Sequence, residues 1–201
     1  MAQDRTTDLG TILRFEPDGS VPGDNPFVDD PDARDPIFSY GHRNPQGLAV
    51  HPETGAVWEH EHGEQDGDEI NLLEAGGNFG WPVATEACTY GGGDPIGVSH
   101  ADRTDVVAPV HYWRCGSGGF PPSGLAIYDG PADAWRGDLF AGNLAGQYLG
   151  RFAVDGRAVT EVERLLDGRG WRIRAVTVGP DGGLLAAVDA DPGPLVRITP
   201  P

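Results

Sequence analysis

The chain has 201 residues, 38% of them hydrophobic, and a formal net charge of −17. That length supports one sizeable core or two small ones; the deficit of cations excludes a phosphate-tracking nucleic-acid binder, and no apolar run reaches the roughly 18–20 residues that a membrane helix needs. The 31 glycines and 18 prolines argue for dense turns and against long helices, and all 14 basic residues are arginine, so any cation that meets a ligand is a planar guanidinium.

In chain order, Met1-Ala2-Gln3-Asp4-Arg5 lacks the apolar stretch of a signal peptide. Thr11–Phe15 reads as a strand closed by the turn Pro17-Asp18-Gly19. The run Tyr40-Gly41-His42-Arg43-Asn44-Pro45-Gln46-Gly47-Leu48-Ala49 places a guanidinium and an amide just ahead of a hairpin, whose Pro52-Glu53-Thr54-Gly55 turn separates two β-type runs. An acidic, glycine-bearing loop follows, from His62 to Glu69, then a strand at Ile70–Leu73. The loop is rich in oxygen ligands of the kind a hard cation prefers, although it does not match EF-hand spacing. His60 and His62 stand two apart, and nothing else completes a zinc set.

Residues 82–108 are glycine-rich and weakly periodic, which reads as a long loop over one face. Cys88 and Cys115 either pair as one disulfide or stand as two thiols; the sequence leaves both open. Trp113 offers an aromatic wall for a flat ligand. Strands are expected at 123–130, 138–144 and 148–152. Trp171-Arg172-Ile173-Arg174 then sets two guanidiniums at i and i+2, on one face of a strand, where like charges need an anion between or opposite them. A last hairpin turns at Pro180-Asp181-Gly182, and Leu195–Ile198 closes the chain's strand pattern. The first and last hairpins begin 128 positions apart, Leu48 to Val176, about three times the 40–45-residue period of a propeller blade. An ordinary antiparallel sandwich is the competing architecture.

The heptad at 41–47, in register with Glu61-His62-Gly63 and Asp68-Glu69-Ile70-Asn71, closely resembles the soluble aldose sugar dehydrogenases that use pyrroloquinoline quinone (PQQ), the glucose/sorbosone dehydrogenase family. The resemblance covers nearly the whole chain but corresponds to the C-terminal half of such a protein. It implies an all-β fold, a partial six-bladed-type β-propeller of about three blades plus one donated strand, with residues 1–201 as one part of a single propeller domain. It implies PQQ- and calcium-dependent oxidation of aldose sugars to lactones. Arg43 would lie beside the quinone oxygens as the catalytic cation, and Asn44, Trp113, Arg172 and Arg174 would contact the cofactor. Gly63 and Glu64 would offer backbone carbonyls to calcium.

Two departures stand out. The family's Gly-Pro is Gly63-Glu64 here, and the Asp that follows its Arg-x-Arg is Ala175 here. The family's general base, a His, belongs to the half that precedes these residues; neither His42 nor His62 aligns with it. The isolated chain is therefore expected to be inactive and to dimerise or pair with a complementary N-terminal half. The parent family is periplasmic or secreted. The rival functional class is a non-catalytic propeller fragment that binds a carbohydrate or a protein.

Overall fold

The structure is a computed structural model describing residues 1–201. Thirteen strands form four antiparallel sheets. β1 (Thr11–Leu13) pairs with β2 (Ile37–Tyr40). β3 (Pro45–Val50), β4 (Val57–Glu61), β5 (Asp68–Leu72) and β6 (His111–Trp113) form a four-stranded sheet in sequence order. So do β7 (Pro122–Ile127), β8 (Leu139–Asn143), β9 (Tyr148–Asp155) and β10 (Ala158–Leu165). β11 (Ile173–Val178), β12 (Leu184–Val188) and β13 (Leu195–Ile198) make the last, three-stranded sheet. The first strand of each large sheet is the innermost, because β7 packs against both β3 and β11. This is a partial β-propeller with two complete blades, one of three strands, and a two-stranded remnant. β1 thus finds its partner in Ile37–Tyr40, a strand that the sequence reading does not assign.

Strand alternation explains how the middle blade is held. Leu125 and Ile127 of β7, Leu139 of β8 and Phe152 of β9 face the first blade, packing with Trp58 and Ile70. Their neighbours Ala126, Phe140 and Leu149 face the last blade, packing with Ile173, Val176 and Leu184. Successive residues point to opposite faces, so one blade fills two interblade cores. At the second seam the inner strands nearly touch. Gly124 has φ 66°, and a Cβ built there would lie 2.6 Å from Ala175 Cα, so only glycine fits. On the other flank of the first blade β3 is left uncovered: Leu48 and Val50 are 52% and 62% exposed. No helix is long and apolar enough to cross a membrane.

His60 belongs to the first seam. Its ring turns to β7, where Nε2 donates to the Gly124 carbonyl at 3.0 Å, and it is fully buried. Burial, offset only partly by hydrogen bonds, pushes its pKa down to about 4. A histidine depressed below its unfolded value binds fewer protons folded than unfolded, so its stability contribution is present above pH ~6.5 and is lost as pH falls toward 4. At about 1.4 kcal/mol per pH unit, the loss approaches ~3 kcal/mol. The melting temperature of the chain is expected to fall across this window, and His60→Gln should flatten that part of the profile. An unchanged slope in the variant would contradict the assignment.

Candidate functional site

The site is built on the inner strands and the loops that leave them. His42, Arg43 and Asn44 form the approach to β3, and Glu61 at the end of β4 fixes their backbone. One carboxylate oxygen of Glu61 accepts from Arg43 N at 2.5 Å and from Asn44 N at 3.0 Å. The other meets His42 Nδ1 at 3.2 Å. Arg43 is thereby turned out of the strand, with Nη1 donating to the His62 carbonyl at 3.3 Å and its guanidinium 5.3 Å from the centre of the Trp81 ring. Trp81 is the aromatic beside the cation, and nothing in the sequence distinguishes it from the other four tryptophans.

From Asn44 a polar chain runs across three blades. Asn44 Nδ2 lies 3.5 Å from His62 Nδ1, and His62 Nε2 donates to the Pro122 carbonyl at 2.7 Å. These partners select the tautomer with the proton on Nε2. Next to Pro122, Ser123 Oγ donates to the Arg174 carbonyl at 2.7 Å. Arg174 Nη2 and Arg172 Nε then converge on Asp189 Oδ2 at 2.8 and 3.1 Å. The two guanidiniums hold that carboxyl below its usual range, Arg172 first and Arg174 second. The anion that the pair requires is therefore supplied from just beyond β12, not from position 175. Both arginine side chains remain nearly half exposed.

The acidic loop is tightly specified. A Cβ on Gly63 would lie 1.9 Å from the Asp66 carbonyl oxygen, so the backbone closes on itself there. Asp68 accepts from Gly63 N at 3.2 Å and from Phe120 N at 2.8 Å; burial raises its pKa while these two bonds lower it. Asp66 accepts from Gly116 N at 2.7 Å. Gln65 and Cys88 exchange backbone hydrogen bonds, and Cys88 is joined to Cys115 as a disulfide with Cα atoms 5.6 Å apart. Of the two cysteine states that the sequence leaves open, the structure shows the bonded one. The Glu64 side chain reaches across the loop and accepts from Tyr90 N at 3.3 Å. Against this loop lies a polar depression of about 230 Å³ bordered by His62, Gly63, Glu64, Asp66 and Ala145.

Six of the seven candidate residues thus fall on or beside one strip: Arg43, Asn44, Gly63, Glu64, Arg172 and Arg174. Trp113 does not. It sits on the outer strand β6, stacked on Phe120 at 4.5 Å and 15° and edge-on to Phe152, and serves the first interblade core.

The strip suits an anionic, planar ligand and a hard cation. Guanidiniums at both ends match carboxylates or a reduced carbonyl oxygen, and the Gly63 loop offers backbone carbonyl and carboxylate oxygens. Residues 1–197 match the Glucose / Sorbosone dehydrogenase family. The chain is 40% identical over 204 residues to the aldose sugar dehydrogenase YliI of Escherichia coli, covering 99% of this chain and 53% of that protein. A glucose dehydrogenase crystal structure superposes with a TM-score of 0.91 at 44% identity, over 100% of this chain and 57% of that one. The PQQ-bound aldose sugar dehydrogenase of Streptomyces coelicolor superposes with a TM-score of 0.68 at 32% identity, over 92% of this chain and 48% of that one. The chain spans about half the length of these relatives, and it belongs to the glucose/sorbosone dehydrogenase family.

Proposed function

We propose that residues 1–201 form the C-terminal part of a PQQ- and calcium-dependent aldose dehydrogenase propeller. The observation that carries this reading is the strip from Asn44 through His62, Ser123 and Arg174 to Arg172, which aligns the candidate residues along adjacent inner strands. PQQ supplies a two-electron acceptor for the hydride that leaves the anomeric carbon of an aldose as it becomes a lactone. In this reading Arg43 places positive charge where a quinone oxygen gains negative charge, and Asn44 orients the ring system. Arg172 and Arg174 clamp carboxylates, and the Gly63 and Glu64 carbonyls hold calcium.

No side chain of the strip is a free base. The basic nitrogen of His62 is Nδ1, since Nε2–H donates to the Pro122 carbonyl, and Nδ1 is faced by the Asn44 amide at 3.5 Å; His42 is buried between Ser39 and Glu61. The base is assigned to a complementary propeller half. Leu48 and Val50, bare on β3, are the face that such a half or a second copy covers. The isolated chain, supplied with PQQ, calcium, an aldose and a dye acceptor, is accordingly expected to show no rate above a protein-free control. Turnover by the chain alone would overturn the assignment of the base.

A further inference from the structure

Behind Arg43, on the face of the first blade opposite Trp58 and Ile70, lies a group of acids that the proposed reaction does not use. Pairing of β4 with β5 sets Glu59 opposite Asn71 and Glu61 opposite Glu69. All four are buried, with Glu59 and Asn71 at 0% exposure. Like charges directly opposite on one sheet face destabilise it, and neither Glu59 nor Glu69 meets a guanidinium. Asn71 Nδ2 is the donor they share, at 3.0 Å from Glu59, 3.4 Å from Glu61 and 3.5 Å from Glu69. One oxygen of Glu59 and the Asn71 oxygen have no partner. Burial first, and the Glu61 charge second, push Glu59 and Glu69 well above the usual carboxyl range.

His42 completes the group. Its ring stacks on Phe79 at 4.6 Å, and Nε2 is 2.9 Å from Ser39 Oγ, so Nδ1 is held facing the acids. One ligand atom each from His42, Glu59 and Glu61 lies within 4.8 Å of the others. The 3.2 Å between His42 Nδ1 and Glu61 Oε1 matches the edge between two ligands bound at about 2.0–2.2 Å to one small ion. Two carboxylates and a neutral imidazole balance a dication, and a hydroxyl on the far ring nitrogen is how metal-bound histidines are oriented.

We propose that His42, Glu59 and Glu61 form a buried site for a first-row divalent transition metal ion, apart from the calcium loop. One imidazole nitrogen with carboxylate oxygens suits zinc or manganese, whereas calcium takes six to eight oxygens. In the loaded site Nε2–H donates to Ser39 and Nδ1 presents its lone pair. Rotation of the Asn71 amide brings its unpartnered oxygen forward as a fourth donor. The ion braces Glu61, and through it the backbone of Arg43 and Asn44.

The site is closed, so loading is tested by refolding the chain in zinc with excess calcium, then dialysing and counting metal by mass spectrometry. One zinc per chain is expected to survive dialysis. Glu59→Gln is expected to lower zinc affinity about a hundredfold or more, as is Glu59→Leu, while both variants keep the fold by circular dichroism. X-ray absorption of bound zinc should show one imidazole and otherwise oxygen neighbours. Absence of retained zinc, or zinc retained equally by both folded variants, would overturn the proposal and leave Glu59 as a neutral, proton-bearing acid.

Discussion

Glu61→Ala is expected to lower the stability of the chain by about 3 kcal/mol, or roughly 6–12 °C in melting temperature for a protein of this size. The carboxylate receives Arg43 N, Asn44 N and Asn71 Nδ2 and faces His42, all at a residue only 4% exposed. Asn71 Nδ2 keeps Glu59 as its acceptor, so Arg43 N and Asn44 N are the donors left without one, each at a cost of about 1–3 kcal/mol. Relief of repulsion toward Glu59 and Glu69 offsets part of this, which places the expected value near the lower end of the sum. Glu61→Gln keeps the shape and one acceptor oxygen but turns an amide NH2 toward other donors, so about half the loss should remain. Thermal melts of the two variants check the order. Melting of Glu61→Ala within 2 °C of the parent would show that the His42–Asn44 turn is held by something other than this side chain.

The second large effect concerns the clamp. Arg172→Ala with Arg174→Ala is expected to weaken PQQ binding about a hundredfold. Each charge-assisted bond to a carboxylate contributes about 1.5–3 kcal/mol, and the half-exposed position of both side chains favours the lower figure. The melting temperature should hardly move, because exposed ion pairs such as those to Asp189 contribute little. The double lysine variant separates charge from geometry. Lysine restores the positive charge without the planar fork, so only part of the affinity should return. Calorimetric titration reads all three proteins. Unchanged affinity in the double alanine variant would remove Arg172 and Arg174 from the cofactor site.

Much of this was legible in the residues. The Pro52–Gly55 and Pro180–Gly182 turns mark two of the hairpins because proline and glycine there dictate local φ. The Arg-x-Arg pair announces an anion by charge alone. What the sequence hid depends on pairing across the sheet. Val57-Trp58-Glu59-His60-Glu61 has the alternation of a strand with one wet face, yet the His42 segment, stacked on Phe79, covers Glu59 and Glu61 there. Asp189 lies 15 residues past Arg174, so its role as their shared anion appears only when β12 folds back on β11. Ile37–Tyr40 is too short to read as a strand without β1 beside it. Trp113 and Trp81 look interchangeable in the sequence; an outer-strand position packs the first, half-buried, in an aromatic stack, while a loop sets the second under Arg43.

The most direct test of the account is a calorimetric titration of the unmodified chain with PQQ, once in calcium and once in chelator. Near-stoichiometric binding that weakens when calcium is removed is the predicted result, since both the arginine strip and the Gly63 loop are already formed in this chain. No binding in either condition would contradict it.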